Sequence, residues 1–289
     1  MRKIKQIIPS SKVNMGGIIL DQPLPSGNID QIDPFLLIHH WHNNFPGNQK
    51  QKEVGVGPHA HRGFSPVTFI FKGGVHHRDS RGNDSIINEG GTQWMNAGMG
   101  IVHSERPLKN IAEKGGEFEI IQFWINTPSK FKMEPPSYHP LSKEETPVYT
   151  SDDGRANVQV VAGSYKNIDG NITASSPIIA LRMELEENGE LKFKIPKHYN
   201  TLIYQLDGIL TINESDEAGA KDLIWFENNG EEEINITAKE KTRAILLAGK
   251  PINEKVVSHG PFVMNTQTEI MEALRDAQMG KMGVLIEEF

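Results

Sequence analysis

The chain has 289 residues, of which 37% are hydrophobic and 23% charged, with a formal charge of −7. That length is comfortable for two domains of about 120–150 residues each, and the acidic balance argues against direct nucleic-acid binding while leaving protein partners open. There is no cysteine, which removes disulfides, thiolate metal sites and cysteine nucleophiles together, so any metal must be held by histidines and carboxylates.

The chain opens with MRKIKQIIPSSKVNMGG, basic but without the continuous apolar core of a signal peptide. No later apolar run approaches the ~20 residues of a membrane span, so a cytoplasmic location with no membrane partner is expected. His39, His40 and His42 flank Trp41 in a segment that reads as packed, with structural hydrogen bonds expected. GPHAHRGF (57–64) sets His59 and His61 one residue apart. VTFIF (67–71) is a short β-branched and aromatic strand, closed by Lys72-Gly73-Gly74. HHRDS follows, where Arg78 and Asp79 are read as an ion pair ordering the turn before Gly82, and His76 or His77 as a neighbour of a site or a surface group. GMGIVHSERP (98–107) is a glycine-rich turn leading into a strand, and FEIIQFWI (118–125) is another strand. Trp94, Met95, Met99 and Phe123 are read as core.

Residues 128–150, rich in proline and charge, read as an interdomain linker. The expected division is a barrel over 1–127, the linker, and a second barrel over 151–289 with a helical tail. Strand signals then resume at VQVVAG (158–163), IIALRMEL (178–185), LKFKI (191–195), TLIYQL (201–206), ILTI (209–212), LIWF (223–226) and TRAILLAG (242–249). Asp207-Gly208 is a candidate two-residue hairpin turn. VTFIF-KGG-V matches LIYQL-DG-I, and EFEIIQFWI matches KTRAILLAG, which points to a tandem duplication. Near the end, Thr266 and Glu269 have capping-box spacing, with Ile270, Met271, Leu274 and Ala277 as an apolar stripe and Gly280 as a stop. The expected fold class is all-β: two tandem antiparallel, jelly-roll-like β-barrels and a short C-terminal helix.

Side chains at i and i+2 of a strand face the same side, so His59 and His61 converge if they lie on one. His103 and Glu105 form a second such pair. If the two strands are neighbours, three imidazoles and one carboxylate meet. That donor set suits Fe(II), Mn, Ni, Cu or Zn better than Ca or Mg. On a six-coordinate ion it leaves two positions open for water, dioxygen or a chelating substrate.

DPFLLIHHWH (33–42), HAHRGF (59–64), HHRDSRGN (76–83), QWMNAGMGIVHSE (93–105) and the C-terminal stretch 246–266 resemble the pirins of the cupin superfamily over nearly the whole chain. The resemblance implies a bicupin whose iron ligands fall on His59, His61, His103 and Glu105, in the first barrel only. Pirins commonly carry a glutamate after HRGF, where this chain has Ser65 and Pro66. Lys197-His198-Tyr199 falls near the second barrel's counterpart of the first pair, so that barrel is expected to be metal-free. The resemblance further implies one of two functions. The first is an Fe(II) quercetin 2,3-dioxygenase (quercetinase) that uses dioxygen on a small aromatic, flavonol-like substrate, with Glu105 as catalytic proton acceptor. The second is an iron-dependent redox-sensing regulator acting through a protein partner. A cupin isomerase, with the metal as a Lewis acid, is a third reading.

Overall fold

The computed structural model describes residues 1–228 and 230–288. Antiparallel strands dominate and divide between two compact units. One comprises residues 14–20, 35–143 and 253–289, and the other residues 1–13, 21–34 and 144–252. The units therefore interleave along the chain, unlike the expected cut at a 128–150 linker.

In the unit holding residues 35–143, a large sheet runs in the order Ser137–Leu141, Thr92–Asn96, Phe64–Lys72, Gly116–Asn126 and Phe35–Phe45, before further N-terminal strands. A smaller sheet runs Val56–His61, Ile101–Pro107, Gly74–Asp79, Asp84–Asn88. Phe64, Val67, Phe69, Ile121 and Phe123 are buried along the two central strands of the large sheet, which is why these segments read as continuous apolar runs rather than alternating ones. The second unit repeats the plan. Its large sheet runs Ile4–Pro9, Asp222–Phe226, Asn200–Asp207, Thr242–Gly249, Ile178–Leu185, Ala156–Ala162, Val148–Thr150, and its small sheet Glu190–Lys194, Glu233–Ala238, Leu210–Ile212, Asp216–Ala218. Strand for strand the two orders correspond, as the sequence repeats predict. The fold is all-β, two antiparallel barrels with one short C-terminal helix.

Three expectations need correction. Asp207-Gly208 is not a hairpin turn: Asn200–Asp207 lies in the large sheet and Leu210–Ile212 in the small one. The dipeptide is the corner at which the chain leaves one sheet for the other, and Gly73 is its counterpart in the first unit. Both have positive φ, +77° and +75°, and a Cβ on Gly73 would meet the Glu117 carbonyl oxygen at 2.9 Å. Such a corner needs glycine as much as a hairpin does, so composition alone does not separate the two.

The stretch 128–150 is not a free linker. Ser137–Leu141 pairs antiparallel with Thr92–Asn96, and Val148–Thr150 pairs with Ala156–Ala162. Both sit at sheet edges, the place in a sheet where a proline such as Pro140 is tolerated. The last segment belongs with residues 35–143, not with the second barrel. Its helix Gln267–Gln278 carries the expected capping box: Thr266 Oγ1 accepts from the Glu269 amide at 3.2 Å and Glu269 Oε2 from the Thr266 amide at 2.8 Å. Ile270 and Ala273 are buried against Phe262, Met264 and Met282, while Met271 points to solvent.

Candidate metal centre

His59 and His61 lie on Val56–His61, and His103 lies on its antiparallel neighbour Ile101–Pro107, with His103 directly opposite His59. The register then slips, so that Glu105 faces Val56. The extra residue on the first strand falls at Gly57-Pro58, a bulge of the kind that re-aims a side chain beside a site. The Gly57 carbonyl it turns inward accepts a hydrogen bond from His59 Nδ1 at 2.8 Å. That bond puts the ring proton on Nδ1 and leaves the lone pair on Nε2. His61 makes the same choice, its Nδ1 lying 3.4 Å from the Pro261 carbonyl oxygen.

The Nε2 atoms of His59 and His103 face each other at 3.0 Å. His61 Nε2 is buried with no hydrogen-bond partner among the described residues, a costly condition for a polar atom unless something is meant to bind there. One ligand atom from each of the three histidines lies within 4.8 Å of those of the other two. Burial drives the His61 and His103 imidazolium pKa values well below the usual histidine range, and the neighbouring imidazoles push the same way. Neutral, converging imidazoles with an unpartnered lone pair are the donor chemistry a divalent transition metal takes, and the residues present fit such an ion.

The carboxylate of Glu105 is not part of that three-histidine cluster, although it lines the same cavity. It is held by neutral donors. Gln93 Nε2 and Thr68 Oγ1 donate to Oε1, the latter at 3.2 Å, and Gln122 Nε2 donates to Oε2 at 2.8 Å. The cavity has a volume of about 220 Å³ and is walled chiefly by Leu37, Trp41, Phe118, Ile120 and Trp124, with His59, His61, Glu105 and Gln122 as its polar groups. His39 also lines it, with a pKa lowered to about 4 by burial. An apolar cavity with a few convergent polar groups is the usual form of a small-molecule site.

The other histidines divide by strand face. His40 and His42 make the structural hydrogen bonds expected of them, each 3.0 Å from a glutamate, Glu119 and Glu117. His76 points outward to Asp84 at 2.6 Å. His77 is fully buried, 3.1 Å from Asp79, stacked on Tyr138, with its ring centroid 5.4 Å from that of His103. Arg78 and Asp79 do not pair with each other, because adjacent strand residues face opposite sides. Arg78 turns to Asp84 at 3.2 Å. Asp79 turns inward and orders the turn before Gly82 by accepting from the amides of Arg81 and Asn83. Trp94, Met95 and Phe123 are core, whereas Met99 is exposed.

In the second unit the strands that correspond to the ligand-bearing pair are Glu190–Lys194 and Glu233–Ala238. Leu191 and Phe193 there face Ile236 and Ile234, all four within the buried core. Lys197-His198-Tyr199 lies beyond the end of the strand.

A stability measurement reads the histidine cluster directly. Metal at about 1,000-fold its dissociation constant stabilises a folded site by about 4 kcal/mol, or roughly 8–16 °C in melting midpoint for a domain of this size. His61→Leu is expected to abolish that shift. Without metal it should melt no lower than the parent, because it removes a buried, unpartnered polar atom. A calorimetric scan of both proteins, with and without metal, checks both outcomes.

Residues 18–125 match the family model described as pirin, and residues 180–283 match that of the pirin C-terminal cupin domain. A pirin-like protein from Solanum lycopersicum is 32% identical over 283 residues, covering 97% of this chain and 92% of its own length. A solved quercetin 2,3-dioxygenase from Acinetobacter baumannii is 32% identical and superposes with a TM-score of 0.90, covering 99% of this chain and all of the other. A bacterial pirin from Escherichia coli, solved with nickel(II), shares the fold with a TM-score of 0.67 at 20% identity, covering 85% of this chain and 99% of its own.

Proposed function

The chain belongs to the pirin family, and on that premise we propose that it is a cytoplasmic Fe(II)-dependent dioxygenase that opens flavonols such as quercetin. One observation carries the reading: three imidazoles converge, two of them at the wall of an aromatic-lined cavity that also presents a carboxylate. His59, His61, His103 and Glu105 are the proposed ligands, a set that would also take Zn, Mn, Ni or Cu. Bound there, iron supplies the Lewis-acid and redox chemistry that dioxygen activation needs.

The chain's own residues do the rest. Trp41, Phe118 and Trp124 offer flat apolar faces to an aromatic ring and keep water from it. Glu105, as ligand or as partly dissociated base, accepts the proton of the substrate's enol hydroxyl, so the substrate enters the reaction as an anion. Gln122 reaches both Glu105 and the cavity, and His39, held neutral by burial, offers a hydrogen-bonding ring without adding charge.

The test is oxygen uptake by iron-loaded protein supplied with quercetin, alongside metal analysis of protein purified without chelator. Turnover supports the proposal. No turnover on any flavonol would sink it and leave the redox-regulator reading, which pull-down of partners with iron-loaded and iron-free protein would examine. Among the described residues no helix is long and apolar enough to cross a membrane.

The second barrel is expected to add no metal. With leucine, phenylalanine and isoleucine at the matching strand positions, it offers a divalent cation no donor there. Isothermal titration should give one ion per chain. A reproducible second ion retained within residues 151–250 would contradict this.

A further inference from the structure

From the geometry around Glu105, we infer that Trp124 and Gln122 are positioning residues: the indole N–H of Trp124 orients the Gln122 amide, and that amide fixes the one carboxylate oxygen of Glu105 left for the metal. The inference rests on the reading of Glu105 as a ligand.

Gln122 and Trp124 stand two apart on Gly116–Asn126 and so share a face. Trp124 Nε1 lies 3.1 Å from Gln122 Oε1. An indole nitrogen only donates, so the atom facing it must be the amide oxygen. The Gln122 NH₂ group is thereby turned the other way, 2.8 Å from Glu105 Oε2 and 3.2 Å from Thr68 Oγ1.

A carboxylate has about four lone-pair sites. Two on Oε1 are taken by Gln93 and Thr68, and one on Oε2 by Gln122. The remaining site is on Oε2, the oxygen that Gln122 holds. Without the indole N–H, nothing on the Trp124 side distinguishes the two faces of the amide. A flipped Gln122 would present its oxygen to Glu105 Oε2, and the two acceptors would repel. The ring of Trp124 meanwhile packs on Phe64 with centroids 4.3 Å apart and meets His61 edge-on at 5.6 Å. Trp124→Phe therefore keeps the aromatic wall and removes chiefly the N–H.

The experiment is titration of the metal-free full chain with Co(II), followed by visible absorption. Trp124→Phe and Gln122→Leu are compared in the parent and in a Glu105→Gln background. Gln122→Leu should weaken Co(II) binding about 10–100-fold, the usual cost of losing a group that supports a ligand. Trp124→Phe should weaken it about 5-fold, as expected for one neutral hydrogen bond. In the Glu105→Gln background neither change should exceed about twofold, because the interaction they serve is already gone.

Unchanged affinity in Trp124→Phe, with Glu105→Gln still weakened, overturns the positioning role and leaves Glu105 as a ligand. Equal losses in both backgrounds overturn it too, by showing a packing effect only. Affinity in Glu105→Gln equal to the parent's removes Glu105 from the ligand set and the inference with it. Thermal melts of each variant separate unfolding from lost affinity.

Discussion

Oxygen consumption with quercetin is expected to fall by about 10²–10⁴-fold in Glu105→Gln at matched iron occupancy, the range typical of a lost general base. The substitution keeps the side chain's shape and removes its charge and its proton-accepting capacity. Three neutral imidazoles leave a divalent ion its full +2 charge, and a carboxylate lowers the site to +1, which still favours an anionic substrate oxygen. Glutamine at 105 has a second difficulty. Its NH₂ group would face Gln93, Thr68 or Gln122, each placed to donate to the present carboxylate. The side chain must then turn or its neighbours must, and metal binding weakens as well. Occupancy therefore has to be matched before rates are compared. Equal rates at equal occupancy would remove Glu105 from the chemistry, whatever its part in holding iron.

Much of this site was legible in the sequence for one physical reason. A strand repeats every two residues, so His59 with His61 and His103 with Glu105 could be read as same-facing pairs before any contact was known. What the period does not reveal is register. The bulge at Gly57-Pro58 sets His103 opposite His59 and Glu105 opposite Val56, and it supplies the carbonyl that fixes the His59 tautomer. Nor does periodicity expose the groups around Glu105. Thr68 and Gln122 sit inside apolar runs that read as strands, Gln93 stands beside Trp94 and Met95, which read as core, and their shared acceptor is up to 37 residues away in sequence. A polar residue at an inward strand position is the signal that could have found them, since a buried amide must have partners.

The fold shows the same division. The repeated large and small sheets were foreshadowed by the match of VTFIF-KGG-V to LIYQL-DG-I, whose glycines turn equivalent corners. The interleaving of the two units was not. It depends on which barrel residues 1–13 and 253–289 join, and the hydrophobic period of a segment records that it packs, not against what.

One residue that composition assigned to a linker should prove among the most costly to remove. Lys132→Met is expected to destabilise the unit carrying the histidines by about 3 kcal/mol at pH 7, as acceptors buried without a donor cost about 1–3 kcal/mol each. Lys132 is 1% exposed, and its ammonium donates to the carbonyl oxygens of Gly63 and Val263 at 2.5 and 2.9 Å and to Asn126 Oδ1 at 2.7 Å. It thus ties the strand Phe262–Met264, next to the Pro261 that steadies His61, to the turn just after that histidine. Burial lowers the lysine's pKa from 10.5 to about 8, against the opposing influence of Glu254 and Glu269. The pH dependence has a definite sign. Between about 8 and 10.5 the unfolded chain holds this proton and the folded chain has released it, so stability rises with pH across that window. Below about 8 both states are protonated and the desolvation cost is borne in full. Lysine held chiefly by an ion pair would have a raised folded pKa and would lose stability as pH climbed through it. Urea denaturation of parent and Lys132→Met at pH 7, 8, 9 and 10 should therefore show a gap that widens with pH. A constant gap would mean that the buried amine does not titrate in this range, and a narrowing one that its charge is stabilised rather than strained by its surroundings.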